Sequence, residues 1–276
     1  MPELPEVEAA RRLIARSMAR ARIESVNLRR PDLRRPFPRG FARRLTGRAV
    51  VSLTRRGKYI LATLSSGDTL LMHLGMSGSF RTSRDPAGRS RGRALDAHDH
   101  VIFHMSSGRA VVFNDPRRFG IMDLIPRSEM AAHPVLGGLG PEPLSSAFDA
   151  ASLARACAGR RTSLKAALLD QRVVAGLGNI YASEALHVAR LTPRRRASTV
   201  ATPSGTPREP AHRLAGAIKQ VLGTAIARST RGLYRDPRFL VYEREGEPCL
   251  RDGCGGTIRR TTQAGRSTFY CPVCQR

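Results

Sequence analysis

Val50-Val51-Ser52-Leu53-Thr54-Arg55-Arg56-Gly57-Lys58-Tyr59-Ile60-Leu61-Ala62-Thr63-Leu64-Ser65-Ser66-Gly67-Asp68-Thr69-Leu70-Leu71-Met72-His73 is the stretch on which the fold turns. Its apolar runs, Val50–Thr54, Tyr59–Leu64 and Thr69–His73, have strand length, and Ser66-Gly67-Asp68 separates two of them as a turn. Two further runs follow, Val101–Met105 and Ala110–Phe113, divided by Ser107-Gly108. Between about Ala49 and Met122 this rhythm reads as an antiparallel sandwich or barrel. Inside it, Arg81 to Ala97 is rich in Arg, Gly, Ser and Asp with almost nothing to bury, so an exposed, mobile loop is expected there, a tolerated insertion.

Upstream, Val7, Ala10, Ile14 and Met18 recur at helical spacing with Arg11, Arg12 and Arg16 between them, which predicts an amphipathic helix from Pro5 to about Met18. Downstream, Leu136-Gly137-Gly138-Leu139-Gly140-Pro141-Glu142-Pro143 reads as a linker. Helices are then expected over Phe148–Ala158, Thr162–Leu169, Ile180–Ala189 and Ala211–Arg228. The stretch Pro193 to Pro210, with Arg194-Arg195-Arg196 followed by Thr, Pro, Ser and Gly, reads as a solvated connector. Near the end, Gly255-Gly256-Thr257-Ile258 and Ser267-Thr268-Phe269-Tyr270 read as short strands around Gly265. The organisation is therefore α+β: a β-rich domain over residues 1–135, a linker over 136–147, a helical domain over 148–239 and a small terminal unit over 240–276.

The 276 residues are 41% hydrophobic, enough for a core, and carry a net charge of +25. A surface with that excess repels itself unless a polyanion or salt neutralises it. Of the 47 basic residues only Lys58, Lys165 and Lys219 are lysines, a bias that base composition explains as readily as phosphate recognition. DNA, RNA, ribosome binding and a merely solvated basic face all fit the charge. No apolar run approaches the roughly 20 residues of a membrane span, and the N-terminus lacks the regions of a signal peptide. A cytoplasmic location without membrane attachment is expected.

Four of the five cysteines, Cys249, Cys254, Cys271 and Cys274, form two close pairs. One structural Zn²⁺ held by four thiolates accounts for that spacing, with two disulfides or free thiols as the alternatives. Cys157 sits on a predicted helix among apolar neighbours and reads as a small buried hydrophobe. At the other end, removal of Met1 would give Pro2 a secondary α-amine with a pKa near 8, about two units below a lysine. Such an amine can attack C1′ of a deoxyribose to give an iminium, and Glu3 beside it can move protons.

The chain resembles bacterial formamidopyrimidine-DNA glycosylases through motifs that occur in order along it. They are Met1-Pro2-Glu3-Leu4-Pro5-Glu6-Val7-Glu8, Arg56-Gly57-Lys58-Tyr59, His73-Leu74-Gly75-Met76-Ser77-Gly78, Asp115-Pro116-Arg117-Arg118-Phe119-Gly120, Gly140-Pro141-Glu142-Pro143-Leu144 and Gly176-Leu177-Gly178-Asn179-Ile180-Tyr181-Ala182-Ser183-Glu184. The resemblance implies an N-terminal β-sandwich with an N-terminal helix, a helix/two-turn/helix module and a β-hairpin zinc finger, with DNA in a cleft between the halves. It also implies excision of oxidised purines (8-oxoguanine, formamidopyrimidines) followed by β,δ-elimination at the abasic site, without magnesium or another external cofactor. In that scheme Pro2 is the Schiff-base nucleophile, Glu3 the proton donor, Lys58 the β-elimination residue and Arg266 the δ-elimination residue. DNA contacts are implied for His98, Arg117 and Arg160, and phosphate contacts at the lesion for Lys165, Asn179 and Tyr181. Met76, Arg117 and Phe119 match the trio that fills the void left by an extruded nucleotide. The implied partner is double-stranded DNA with oxidised bases or abasic sites, met by a monomer in the bacterial cytoplasm and its nucleoid.

Two features depart from the family pattern. Arg228 to Phe239 runs almost directly into Leu240-Val241-Tyr242, where typical members insert a Gly/Thr-rich run and a long loop that encloses the flipped base. The first cysteine pair brackets four residues, where many relatives have two. The first departure leaves base preference open: an altered lesion range is the alternative, and a non-catalytic damaged-DNA-binding protein is a third reading.

Overall fold

A computed structural model of the chain describes residues 1–84, 95–130, 132–230 and 239–276. By contacts it forms two compact units, Met1–Gly137 and Gly138–Arg276.

The first unit opens with α1 (Leu4–Met18), β1 (Ile23–Leu28) and α2 (Phe41–Leu45), followed by seven strands. These are β2 (Val50–Arg56), β3 (Tyr59–Leu64), β4 (Thr69–His73), β5 (Ser79–Ser83), β6 (Asp99–Met105), β7 (Arg109–Asn114) and β8 (Ile121–Ile125). They build two antiparallel four-stranded sheets, ordered β1-β6-β7-β5 and β2-β3-β4-β8. Ile60, Ala62, Leu64 and Met72 from one sheet and Phe103, Val111 and Phe113 from the other share one core with Val7, Ile14 and Met18 of α1. The arrangement is the expected sandwich, closed by the amphipathic face of the N-terminal helix.

Sheet β2-β3-β4-β8 is apolar on its second face too, where Leu61, Leu71 and Ile125 pack with Met130 and Leu136. That is why β3 and β4 read as unbroken apolar runs rather than as alternation. Strands β1, β5 and β8 were not anticipated. β1 is a largely exposed edge with a register shift between Ile23 and Ser25, and β5 offers the core a single large side chain, Phe80. The expected loop from Arg81 to Ala97 is therefore corrected at its start. Arg81, Thr82 and Ser83 belong to β5 and pair with β7, and Arg81 forms an ion pair with the buried Asp99. The rest of that expectation, over 85–94, lies outside the described residues.

The second unit contains α3 (Ala150–Cys157), α4 (Leu164–Leu169), α5 (Asn179–Val188) and α6 (Glu209–Thr230), then the hairpin β9 (Arg259–Gln263) and β10 (Arg266–Tyr270). Asp149 caps α3, its carboxylate accepting the Ser152 N–H at 2.7 Å while Ser152 Oγ accepts the Asp149 N–H at 2.9 Å. Between α4 and α5 the Gln171 amide pins the two turns, donating to the Leu177 carbonyl at 2.8 Å and accepting the Gly176 N–H at 2.8 Å. Gly140 closes on the same turns: a Cβ there would lie 2.5 Å from the Arg172 carbonyl oxygen.

Two expectations are corrected here. Pro193–Pro210 is not a solvated connector: Ala197, Val200 and Ala201 are buried, Ala197–Val200 forms a 3-10 turn, and the Arg195 and Thr162 carbonyls accept the Leu164 and Ala197 N–H groups. Small apolar residues among the polar ones suffice to seat it. In the hairpin, Gly255–Ile258 is not the first strand. Thr257 makes an isolated bridge to Pro248, and the strand is the polar Arg259–Gln263, which pairs with β10 through its backbone.

Candidate functional site

In the first unit the candidate nucleophile stands at the head of a helix. Glu3 is the N-cap of α1, and its backbone N–H donates to the Glu6 carboxylate at 2.6 Å. This fixes the chain direction just after Pro2. Glu3 is 2% exposed, so its carboxyl is a shielded group, as proton transfer requires. The helix is held down by Glu8, which takes hydrogen bonds from Arg11 and Arg12 and an ion pair from Arg55. Burial alone would raise the Glu8 pKa, but those guanidinium hydrogen bonds outweigh it and hold the carboxyl at about 2.

Lys58 lies with Gly57, whose φ is +55°, in the tight turn where Arg56 pairs with Tyr59. It is 8% exposed. The β3–β4 register sets Tyr59 against His73, their rings 4.9 Å apart. Burial, then the charges of Lys58 and Arg34, push the His73 pKa down to about 4, so the ring is neutral near pH 7. Its Nδ1 accepts the Gly75 N–H at 3.0 Å.

Gly75 begins the loop that carries Met76. Its φ is +63°, and a Cβ would fall 2.3 Å from the Phe119 carbonyl carbon. Only glycine lets the Met76 loop approach the Phe119 loop this closely. Asp115, fully buried, joins the two loops. It accepts Ser77 Oγ–H at 2.7 Å and the Gly120 N–H at 2.7 Å. Met76 and Phe119 are each 39% exposed, unlike core residues, and the Arg117 guanidinium lies 4.8 Å from the Phe119 ring centre. The structure thus brings this trio together. His98 is exposed on the same unit, its ring 6.2 Å from that of His100.

In the second unit Lys165 and Asn179 converge on the hairpin. Lys165 is 1% exposed, and its ammonium donates to the Ser267 carbonyl at 2.9 Å and to Thr268 Oγ1 at 2.7 Å. Asn179, first residue of α5, donates Nδ2–H to the same carbonyl at 3.0 Å. Arg266, exposed, precedes Ser267, so these two bonds seat its strand at the α5 N-terminus, the positive end of a helix dipole. Tyr181 is buried. Arg160 pairs with Asp170 at 2.9 Å. Hydrogen bonds from Arg172 first, and from Arg160 after partial burial has opposed them, hold that carboxyl far below the usual range.

The Sγ atoms of Cys249, Cys254, Cys271 and Cys274 all lie within 4.8 Å of one another, with Cys249–Cys274 at 3.9 Å and Cys254–Cys271 at 3.5 Å. Tetrahedral zinc with Zn–S bonds of about 2.3 Å places its sulfurs roughly 3.8 Å apart, so the donor set fits one closed, structural ion. A Cβ at Gly256 would stand 2.7 Å from Cys271 Sγ. The local core is only Val241, Ile258, Phe269 and Cys271 with a few partners, too little to hold such a unit without metal. His187 Nε2 lies 3.3 Å from Cys249 Sγ. Cys157 is fully buried, and burial pushes its thiol up to about 11, as expected of an inert core residue.

Sequence reasoning assigned no role to Asp115, His73, Gln171 or Glu184. Three of them, Asp115, His73 and Glu184, stand in the quoted motifs, which was the signal at hand, and Gln171 lies outside them.

Among the described residues no helix is long and apolar enough to cross a membrane. Family models match three consecutive parts of the chain: the formamidopyrimidine-DNA glycosylase N-terminal domain over residues 1–122, the formamidopyrimidine-DNA glycosylase H2TH domain over 139–235 and the zinc finger found in FPG and IleRS over 246–276. The formamidopyrimidine-DNA glycosylase of Bradyrhizobium sp. strain BTAi1 is 57% identical over 293 aligned positions, covering 100% of both chains. That of Rhodopseudomonas palustris strain BisA53 is 56% identical over 294, again covering 100% of both. Among solved structures, the Lactococcus lactis enzyme bound to DNA containing an abasic site superposes with a TM-score of 0.84 at 30% identity, covering 99% of each chain. The Thermus thermophilus protein gives 0.81 at 37%, covering 99% of this chain and 98% of that one. With motifs, domain order, fold and cysteine cluster in agreement over the full length, the chain belongs to the formamidopyrimidine-DNA glycosylase family.

Proposed function

We propose that this protein is a base-excision repair enzyme that removes oxidised purines from double-stranded DNA and then cuts the strand at the abasic site. The observation that carries the reading is Pro2 at the head of α1 with the buried Glu3 as its helix cap. Once Met1 is cleaved, Pro2 carries a secondary α-amine, a group whose ordinary pKa near 8 leaves part of it neutral at physiological pH and able to act as a nucleophile. Its lone pair attacks C1′, the bond to the damaged base breaks, and Glu3 supplies a proton to the opening sugar oxygen. The amine proton passes to the departing base, and expulsion of the protonated sugar oxygen by the nitrogen lone pair leaves an iminium, which acidifies C2′–H. Lys58 serves the β-elimination that expels the 3′ phosphate, and Arg266 the δ-elimination that expels the 5′ phosphate. Met76, Arg117 and Phe119 fill the vacated stack. His98 and Arg160 contact the duplex, and Lys165, Asn179 and Tyr181 serve the phosphates at the lesion. We assign residues 1–135, 148–239 and 240–276 to the catalytic, helix/two-turn/helix and zinc-finger domains, with 136–147 between them. A monomer in the bacterial cytoplasm is the expected working form.

Related structures from Lactococcus lactis hold DNA with an abasic site or a Fapy-dG lesion, which supports this substrate class. Borohydride added during turnover is expected to trap the protein covalently on 8-oxoguanine duplex through Pro2. A mature, Met1-free sample that gives no adduct on either lesion or abasic duplex sinks the reading. An altered lesion range is the second reading. It is favoured by 293 aligned positions against this chain's 276 residues, so the relative carries segments this chain lacks. The shortening expected at Arg228–Phe239 falls largely at 231–238, outside the described residues. Parallel cleavage of 8-oxoguanine, oxidised-pyrimidine and abasic duplexes separates the two.

A further inference from the structure

The second unit holds a cavity of about 530 Å³ whose wall includes Arg190, Arg195, Arg213, Arg251 and Arg276, beside Asp252 and two of the zinc-site cysteines, Cys254 and Cys274. Helix α5 runs from Asn179 to Val188, so Arg190 lies just past its C-terminal end. Asn179, at the end assigned to the lesion strand, is therefore about 15 Å away along the axis. The cavity thus lies at the opposite end of α5 from Asn179.

Its walls are fixed independently of any ligand. The Arg251 guanidinium donates to the His187 carbonyl at 2.7 Å, capping α5, while its buried Nε has no hydrogen-bond partner among the described residues. Arg195 is steadied by Thr199 at 2.6 Å and Arg213 by Glu209 at 3.0 Å. Backbone bonds from Arg276 N to the Arg190 carbonyl and from Thr192 N to Arg276 O tie the chain end to the start of the next loop. Each guanidinium carries five N–H donors and is planar, so one steadying bond leaves most of its fork free for a phosphate. Asp252 in the wall and Glu209 beside Arg213 offset part of these five charges, and an anion in the cavity relieves the repulsion among the rest.

We propose that this cavity is a second anion site, taking a chain of phosphates such as a triphosphate or the backbone of a nucleic-acid strand. Arginine recognises phosphate oxygens bidentately, and the volume suits a ligand larger than one phosphate. The shared chemistry is a phosphoanhydride or phosphodiester run, and the two sources are distinguishable.

The test uses the full-length, zinc-loaded protein and arginine modification by phenylglyoxal, read by peptide mass spectrometry. Inorganic triphosphate is expected to protect Arg190 and Arg213 while leaving the exposed Arg16 and Arg48 of the first unit reactive. A lesion-free single-stranded oligonucleotide that protects the same pair and displaces triphosphate names nucleic acid as the source, and protection by triphosphate alone names a free anion. Equal reactivity of Arg190 and Arg213 with and without both probes overturns the proposal. In calorimetry, the double variant Arg190→Gln/Arg213→Gln is expected to weaken triphosphate binding on the order of a hundredfold, about tenfold per guanidinium. Arg16→Gln/Arg48→Gln should leave it unchanged, and equal losses in the two pairs would mean diffuse charge and no site. If the first pair fails to fold, the footprint on the unmodified sequence decides.

Discussion

The Asp115 carboxylate, fully buried, accepts Ser77 Oγ–H at 2.7 Å. Its other oxygen takes the Gly120 N–H at 2.7 Å, so one side chain holds the Met76 loop to the Arg117–Phe119 loop. An amide in its place can accept only one of these bonds and turns a donor toward the other. Asp115→Asn is therefore expected to cost about 1–3 kcal/mol, the penalty of a buried group left unpaired. Ser77→Ala combined with it should cost less than the sum of the two, because both break the same bond. Thermal unfolding of the four proteins checks the cycle, and full additivity would mean that the loops are not coupled here.

A pH dependence follows from His73. Its folded pKa, about 4 against an ordinary value of 6.5, is depressed, so below 6.5 the unfolded chain binds a proton that the folded one refuses. Stability from this site is complete above about pH 6.5 and falls as pH drops toward 4, by up to about 3 kcal/mol. Protonation would also remove the acceptor that Nδ1 offers to the Gly75 N–H. His73→Gln should flatten this part of the stability profile in urea unfolding between pH 4 and 7. An unchanged slope would assign the dependence to other groups.

The apolar strands were readable because β3 and β4 are buried on both faces, which prints an unbroken hydrophobic run. Strand β9 was not, because Arg259-Arg260-Thr261-Thr262-Gln263 buries none of its side chains and owes its place to pairing with β10. The site shows the same division. Pro2, Glu3 and the cysteines announce their chemistry by residue type, whereas Asp115 acts through a bond to Ser77 in a loop distant in sequence and Gln171 by folding a turn back on its own side chain, neither of which residue type records. Lys165 was legible as a cation, but not as a buried one bound to the hairpin carbonyl of Ser267.

Glu184 ties α5 to the start of the zinc-finger unit. One carboxylate oxygen accepts the N–H groups of Val241 and Tyr242 at 2.9 and 3.0 Å, and the other that of Leu240 at 2.8 Å. Glu184→Gln keeps the size but sets an amide NH₂ against at least one N–H. The expected loss is about 1–3 kcal/mol, seen as faster zinc transfer to a chromogenic chelator. Unaltered zinc release would show that the finger is seated without this carboxylate.

Glu3→Gln separates the two halves of the proposed reaction. Without a transferable proton, base release should fall by about 10²–10⁴-fold, while Pro2 remains able to form the iminium with an abasic site that has already lost its base. Borohydride trapping on abasic duplex is therefore expected to persist when 8-oxoguanine excision is nearly gone. Equal loss of both activities would place Glu3 in both steps, or in holding Pro2 through the helix cap.

The turn before Arg266 offers a last test. Ala264 and Gly265 both have positive φ, 48° and 70°, in a two-residue turn closed by the Gln263–Arg266 pair. Such turns match the twist of a hairpin but strain any side chain with a Cβ. Ala264→Gly should relieve that strain and stabilise the hairpin by about 0.5–1 kcal/mol. Ala264→Val should do the opposite, because a branched Cβ is worse accommodated in the left-handed region. As Lys165 and Asn179 fix the neighbouring Ser267 carbonyl, the strain of the valine variant falls on Arg266 alone. Its strand-cleavage products should shift from those of two eliminations toward those of one, with base excision unchanged. A parallel fall in excision would show that the turn supports the whole finger rather than the placement of Arg266.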